Sequence, residues 1–209
     1  MTIRYGIGLA LEPGFPSRAY RARQLICGQY ASWAAEMNMV YLTVSGFFLC
    51  EESAAPSLEV GLSILASRST QTAPQFPLSH SGVATWPSAT GHIFLDFAAP
   101  EIAPALNDIH ASVTKLLAET DGISLDAANG AEEFQPHLPL MQFARLPHGV
   151  FADAVEFAQA VAADLQIPSG TQAWRLLLLR FESEAAGDDW TGGSWATDLR
   201  WELLASYPL

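Results

Sequence analysis

Charge is what this chain has least of. Only 15% of its 209 residues are Asp, Glu, Lys or Arg, well under the usual quarter. Positive charge is scarcer still, with 10 basic residues against 22 acidic ones and a net charge of -12. Lys115 is the only lysine, and the other basic residues are arginines. Such a balance excludes a long electrostatic footprint on nucleic acid or on an anionic membrane surface. It permits a small pocket holding a few phosphates. Cysteine is also sparse. Cys27 and Cys50 make neither a disulfide framework nor a zinc-ligand pattern, and a reducing cytoplasm is the simplest setting for them. The first residues, Met1-Thr2-Ile3-Arg4-Tyr5-Gly6, lack the basic-then-apolar layout of a secretory signal. The longest charge-free stretch, Ser69 to Leu95, is filled with Pro, Ser, Thr, Gln and His, so nothing reads as a membrane span.

What the chain does have is apolar material. Half of it is hydrophobic and 11% is aromatic, ample for one domain or a tightly joined pair of lobes. Ile3 to Leu11 reads as a strand closed by Glu12-Pro13-Gly14. A helix opens at Pro16-Ser17, with Ala22, Leu25, Ile26, Tyr30, Trp33, Ala34 and Met37 on one stripe. Met39 to Cys50 follows as a strand. Pro56 to Ser67 is a shorter helix. Phe76 to Trp86 and His92 to Phe97 then read as strands joined by the loop Pro87-Ser88-Ala89-Thr90-Gly91. A helix over Pro100 to Thr120, a polar loop over Asp121 to Gln135 and a strand at His137 repeat the first order of elements. Strand–helix–strand therefore occurs twice. Beyond it come a helix from Gly149 and two strands, Thr171 to Glu184 and Ser194 to Tyr207. In the last, Trp195, Thr197, Leu199, Trp201 and Leu203 alternate with polar positions, as in a sheet wetted on one face. The pattern predicts an α+β fold: antiparallel sheets in two pseudo-symmetric lobes, helices outside and a groove between, with residues 1–209 as one bilobed domain.

Both units end on an alternating tetrapeptide. In Tyr41-Leu42-Thr43-Val44 the leucine and valine turn to a core, leaving Tyr41 and Thr43 toward a cleft. In His137-Leu138-Pro139-Leu140 the leucines turn inward and His137 and Pro139 look out. With these placements the chain resembles the two-histidine (2H) phosphoesterase superfamily, which includes the bacterial 2'-5' RNA ligase-like proteins. That resemblance, spanning Ile3 to about Leu165, implies two lobes that each offer a His-x-Thr/Ser-x motif to a central groove. It implies opening of cyclic nucleotide phosphates or cleavage of 2'-5' linkages with no metal and no cofactor. One His would act as general base and the other as general acid, while the two hydroxyls hold the phosphate.

Both motifs depart from that pattern. Tyr41 stands at the first His position with Thr43 kept; His137 is kept but Pro139 stands at the second hydroxyl position. Proline has no hydroxyl and no backbone N–H. A phenol with an ordinary pKa near ~10 is a poor base at neutral pH, though tyrosine can serve as an acid. The resemblance thus assigns His137 as general base, Tyr41 as its acid partner and Thr43 as a phosphate contact. Arg145, a planar guanidinium shortly after the second motif, is the best candidate counter-charge. Two readings stand: a metal-independent phosphodiesterase acting on cyclic nucleotide phosphates or 2'-5' linked RNA ends, and an inactive 2H-fold protein binding a nucleotide, an RNA end or a protein partner. Either takes a small phosphorylated ligand or RNA end as partner, with no long nucleic acid and no membrane; the oligomeric state is not legible.

The remaining polar groups have plainer expectations. Arg18, Arg21 and Arg23 read as a solvated helix start. His80 and His92 read as structural, and His110 as half-exposed packing. Glu51-Glu52, Glu132-Glu133 and Asp188-Asp189 read as solvated loops. Trp33, Trp174, Trp195 and Trp201 read as core or half-buried, with Trp86 and Trp190 near loop tips.

Overall fold

Both strand–helix–strand units form, and in each the second strand returns antiparallel against the first. In the computed structural model, which describes residues 1–72, 75–86, 91–98, 104–125, 134–186, 190 and 193–209, the first unit is β1 (Thr2–Leu11), α1 (Gly14–Tyr30) and β2 (Leu42–Cys50). After α2 (Ala55–Thr72) and two short strands, β3 (Pro77–Ser79) and β4 (Val83–Ala84), comes the second unit. It consists of β5 (Ile93–Asp96), α3 (Pro104–Glu119), a short strand β6 (Ile123–Leu125) and β7 (His137–Met141). The chain ends with α4 (His148–Asp164), β8 (Gly170–Ser183) and β9 (Arg200–Pro208). The fold is α+β with antiparallel sheets. Among the described residues, no helix is long and apolar enough to cross a membrane.

The sheets are unequal. The larger runs β3-β8-β1-β2-β6, with β9 beside β8; the smaller runs β4-β5-β7. The long helices are exchanged between them. α1, which follows the first strand of the larger sheet, packs on β7 and α4, while α3 packs on β2 and β6. Each helix thus covers the motif strand of the other unit. Leu42 and Val44 of β2 and Leu138 and Leu140 of β7 are buried in one common core. The inward half of both tetrapeptides is as the alternation requires.

A second cluster lies on the opposite face of the larger sheet. Leu177, Leu179 and Phe181 of β8 are covered there by Trp190, Trp195 and Leu199. The expected strand over Ser194 to Tyr207 therefore begins late. Ser194–Thr197 is a 3₁₀ turn entered through Gly193 at φ 73, and it tucks Trp195 onto the sheet. The wet face is confined to β9, where Trp201 and Leu203 are exposed.

Other boundaries shift for local reasons. α1 stops at Tyr30 because Ala31 turns left-handed at φ 49 and its N–H, with that of Ser32, closes on the Cys27 carbonyl. A separate 3₁₀ turn, Ala34–Met37, follows, and Trp33 between them is 53% exposed rather than buried. The expected strand over Phe76 to Trp86 divides between the sheets, β3 joining β8 and β4 joining β5, with Gly82 at φ 117 between. The loop from Pro87 to Thr90, the helix start at Pro100, the pair Glu132-Glu133 and the tip with Asp188-Asp189 lie outside the described residues.

Candidate functional site

Tyr41 leads into β2 on the face opposite Leu42, beside the second cluster. Its ring lies against β1 at Gly8, where a Cβ would sit 2.3 Å from the Tyr41 Cδ2 atom. Glycine at position 8 is what gives the ring its seat. The residue is partly buried and its phenol is desolvated, which pushes the hydroxyl up to about 12. The Arg23 charge and the Thr43 side chain offset only part of that. Thr43 is half-buried and pairs with Gly8.

His137 begins β7, in register with Asp96 of β5. Its Nδ1 is 2.8 Å from the Gln135 carbonyl. A neutral imidazole donates from that nitrogen, which leaves Nε2 as the acceptor. Trp86 and Phe94 meet the ring edge-on at 4.8 and 5.1 Å. Burial lowers the His137 pKa, against the Gln135 hydrogen bond and the Asp96 carboxylate. At neutral pH the side chain is an uncharged base.

The two motif segments are joined by a residue expected to belong to a solvated helix start. Arg23 of α1 is 1% exposed. Its Nε and Nη2 donate to the Pro139 carbonyl at 3.1 and 2.9 Å, and its Nη1 donates to the Asn38 carbonyl at 2.8 Å. The guanidinium thus ties the segment leading to Tyr41 to the second motif. Burial brings its pKa down to about 10, opposed by Cys27, Tyr41, Glu36 and Tyr20. Glu36 Oε1 and Asn38 Oδ1 are buried nearby without a partner among the described residues. Pro139 itself is tolerated because β7 is an edge strand, and its carbonyl is the atom that the clamp uses.

Arg145 is not brought into this arrangement. It is exposed and has no hydrogen bond or ion pair among the described residues. Between the motifs runs an aromatic wall instead. Phe143 lies in the second cluster with Tyr41, contacts Trp195 at 5.1 Å and meets His92 at 4.6 Å. Trp86 joins His92 to His137. A cavity of about 730 Å³ lies elsewhere, between α2 and α3, and no motif residue lines it.

This topology has counterparts among solved structures. E. coli LigT complexed with 3'-AMP superposes with a TM-score of 0.61 at 14% identity, over 99% of this chain and 97% of that one. The fold is that of LigT. A structure described only as a phosphoesterase gives a TM-score of 0.57 at 14% identity, over 100% and 99% of the two chains. The protein TT0787 of Thermus thermophilus gives 0.56 at 16%, over 99% and 97%. No family model matches the chain, and no curated protein does. At such identities the LigT likeness carries the fold and leaves the site to be argued from this chain's own residues.

The burial of Arg23 has a sequence signal after all. The residue falls four positions after Ala19 and four before Cys27, both fully buried, so the helical stripe runs through it. Two histidines behave as structural groups: His80 is held by the Pro168 carbonyl at 2.9 Å and the Gly82 N–H at 3.1 Å, and His110 reaches the Val44 carbonyl at 2.7 Å.

Proposed function

We propose that this protein binds a small phosphorylated ligand, a nucleotide or an RNA end, at His137 where β2 and β7 come together, without the full two-histidine proton relay. One observation carries this reading. The group at the first His position is a phenol whose ring is seated on Gly8 beside the second cluster, while His137 is packed against Trp86 and Phe94. Burial raises the phenol further from the range of an acid that works near pH 7. The ligand class is supported by LigT, whose structures were solved with 3'-AMP, phosphate, ATP and NADP+. Thr43 contributes a hydroxyl to the ligand, and Arg145 is free to reach a phosphate once one is bound. A soluble cytoplasmic setting and action of residues 1–209 as one bilobed unit belong to the same proposal.

A second reading is favoured by the His137 tautomer. With Nδ1 occupied by Gln135, Nε2 is the free acceptor that a general base needs. On that reading the protein is a slow, metal-independent phosphodiesterase for cyclic nucleotide phosphates or 2'-5' linked ends, with Tyr41 as the acid. Loss of one matched partner predicts a rate about 10²- to 10⁴-fold below a complete pair. Calorimetric titration with 3'-AMP, beside hydrolysis of 2',3'-cyclic nucleotides in chelator, separates the two. Binding that His137→Ala removes, without turnover, is expected. Turnover that His137→Ala abolishes selects the second reading. No binding of any phosphate ligand overturns both.

A further inference from the structure

The second motif offers one imidazole, and the first offers none. The smaller sheet nevertheless carries another. Along β5 and its flanks Ile93, Leu95 and Phe97 are fully buried in the core, so His92, Phe94 and Asp96 fall on the opposite face. Along β7, Leu138 and Leu140 are core, and His137 and Pro139 take that same opposite face. The register pairs Asp96 with His137 and Phe94 with Pro139. His92 and His137 are therefore on one face of one sheet, and the Trp86 ring touches both, at 5.1 and 4.8 Å.

His137 uses Nδ1 on Gln135 and keeps Nε2. His92 has ring contacts with Trp86 and Phe143 but no hydrogen-bond partner among the described residues. It is half-buried, so its nitrogens retain access to solvent or ligand. An imidazole framed by aromatic rings, with nitrogens that no protein group holds among the described residues, is open to a ligand from that face. Accepting the ligand class proposed above, on which this inference rests, we infer that His92 is the second imidazole of the phosphate site. His92 and His137 together receive the phosphoryl group of a nucleotide or RNA end on the face of the smaller sheet. This pair takes over from the histidine absent at Tyr41 and the hydroxyl absent at Pro139.

The electrostatics fit an anion that arrives with protons. Burial, and then His137, bring the His92 pKa down to about 4, and burial lowers that of His137. The charged group facing them from their own sheet is Asp96, whose carboxylate favours protonation of His137. A phosphate between two such imidazoles favours the charged form of each, and each becomes a charge-assisted donor. Binding therefore takes up protons, and it tightens as pH falls below about 6.5 toward the value of about 4 that free His92 holds.

The test is a titration of the full-length chain with inorganic phosphate and with 3'-AMP. Histidine ring resonances are followed by NMR, and heats are measured in buffers of different ionisation enthalpy. Expected are shifts of His92 and His137 with one common saturation curve, net proton uptake, and about a 10-fold loss of affinity in His92→Gln. The exposed His148→Gln variant should match the wild type. Shifts at His137 with His92 unmoved overturn the inference while leaving the ligand reading intact. No shift at either histidine and no heat removes both. If His92→Gln does not fold, the wild-type resonances still decide.

Discussion

The sharpest perturbation of this site is to remove the Arg23 guanidinium while keeping its volume, as in Arg23→Met. Burial carries a cost, and what is left of it after nearby groups offset part is seen in the fall of its pKa from 12.5 to about 10. At ~1.4 kcal/mol per pK unit that cost is about 3 kcal/mol. Against it stand three hydrogen bonds from a charged donor, to Pro139 and Asn38. Each such bond contributes about 1.5–3 kcal/mol, so the bonds win. Methionine removes the desolvation cost along with the bonds, but it leaves two carbonyls enclosed without donors, at about 1–3 kcal/mol each. The expected net loss is about 2–6 kcal/mol. Urea unfolding at pH 7 measures it, read by tryptophan fluorescence with unchanged m-value. Arg23→Lys should recover only part, because an ammonium cannot span both carbonyls as the planar fork does. Arg23→Met within about 0.5 kcal/mol of wild type, the scatter of an ordinary surface substitution, would refute the argument that Arg23 clamps the two segments.

Three further outcomes follow from the same geometry. Gly8→Ala places a Cβ against the Tyr41 ring and should cost about 1–3 kcal/mol by overpacking; Tyr41→Ala in the same chain should return part of it, which a double-mutant cycle in urea checks. Pro139→Thr leaves the carbonyl that Arg23 holds and changes only an edge strand, so its stability should stay within about 1 kcal/mol of wild type; a drop as large as that of Arg23→Met in the same assay would show that the ring itself matters. The folded state holds His80, His92 and His137 below their ordinary value, so the unfolded chain takes up protons first; stability should be full above ~6.5 and fall as pH drops toward about 4.5, and a flat profile over that window in chemical denaturation would contradict the shifts.

Much of the scaffold could be read from periodicity, because periods of 2 and 3.6 report which side chains are buried. They located β1, α1, β2, β5, α3 and β7, and they turned Leu42, Val44, Leu138 and Leu140 inward. They do not report against what a stripe is buried. The exchange of α1 and α3 between the sheets is therefore invisible to them, since a helix stripe looks the same whichever sheet it meets. Three-residue strands such as β6 carry too little pattern to stand out from a polar loop. Trp195 alternates correctly for a strand with Leu199 and Trp201, but Gly193 at positive φ sends it into a turn. Arg23 escapes for a different reason. Charge argues for solvent, and its partners are carbonyls at Asn38 and Pro139, which no side-chain pattern announces.

The clamp also explains how scaffold and chemistry can separate in this chain. The motif segments belong to different sheets, and β2 and β7 meet without sharing a ladder. Something must span them, and α1 does so by crossing to the second unit. Its guanidinium grips main-chain carbonyls, so its hydrogen bonds do not depend on which side chains stand at the motifs, although its charge is felt at Tyr41. A histidine or a tyrosine at position 41, and a threonine or a proline at position 139, present the same carbonyl framework to it. The clamp between the two segments thus does not require particular acid–base groups at positions 41 and 139. Against the pattern that the resemblance implies, positions 41 and 139 lack an imidazole and a hydroxyl, and His137 lies beside an aromatic wall that includes His92. Both His92 and His137 lie on the smaller sheet, and the face holding His137 is where the proposed ligand should be sought.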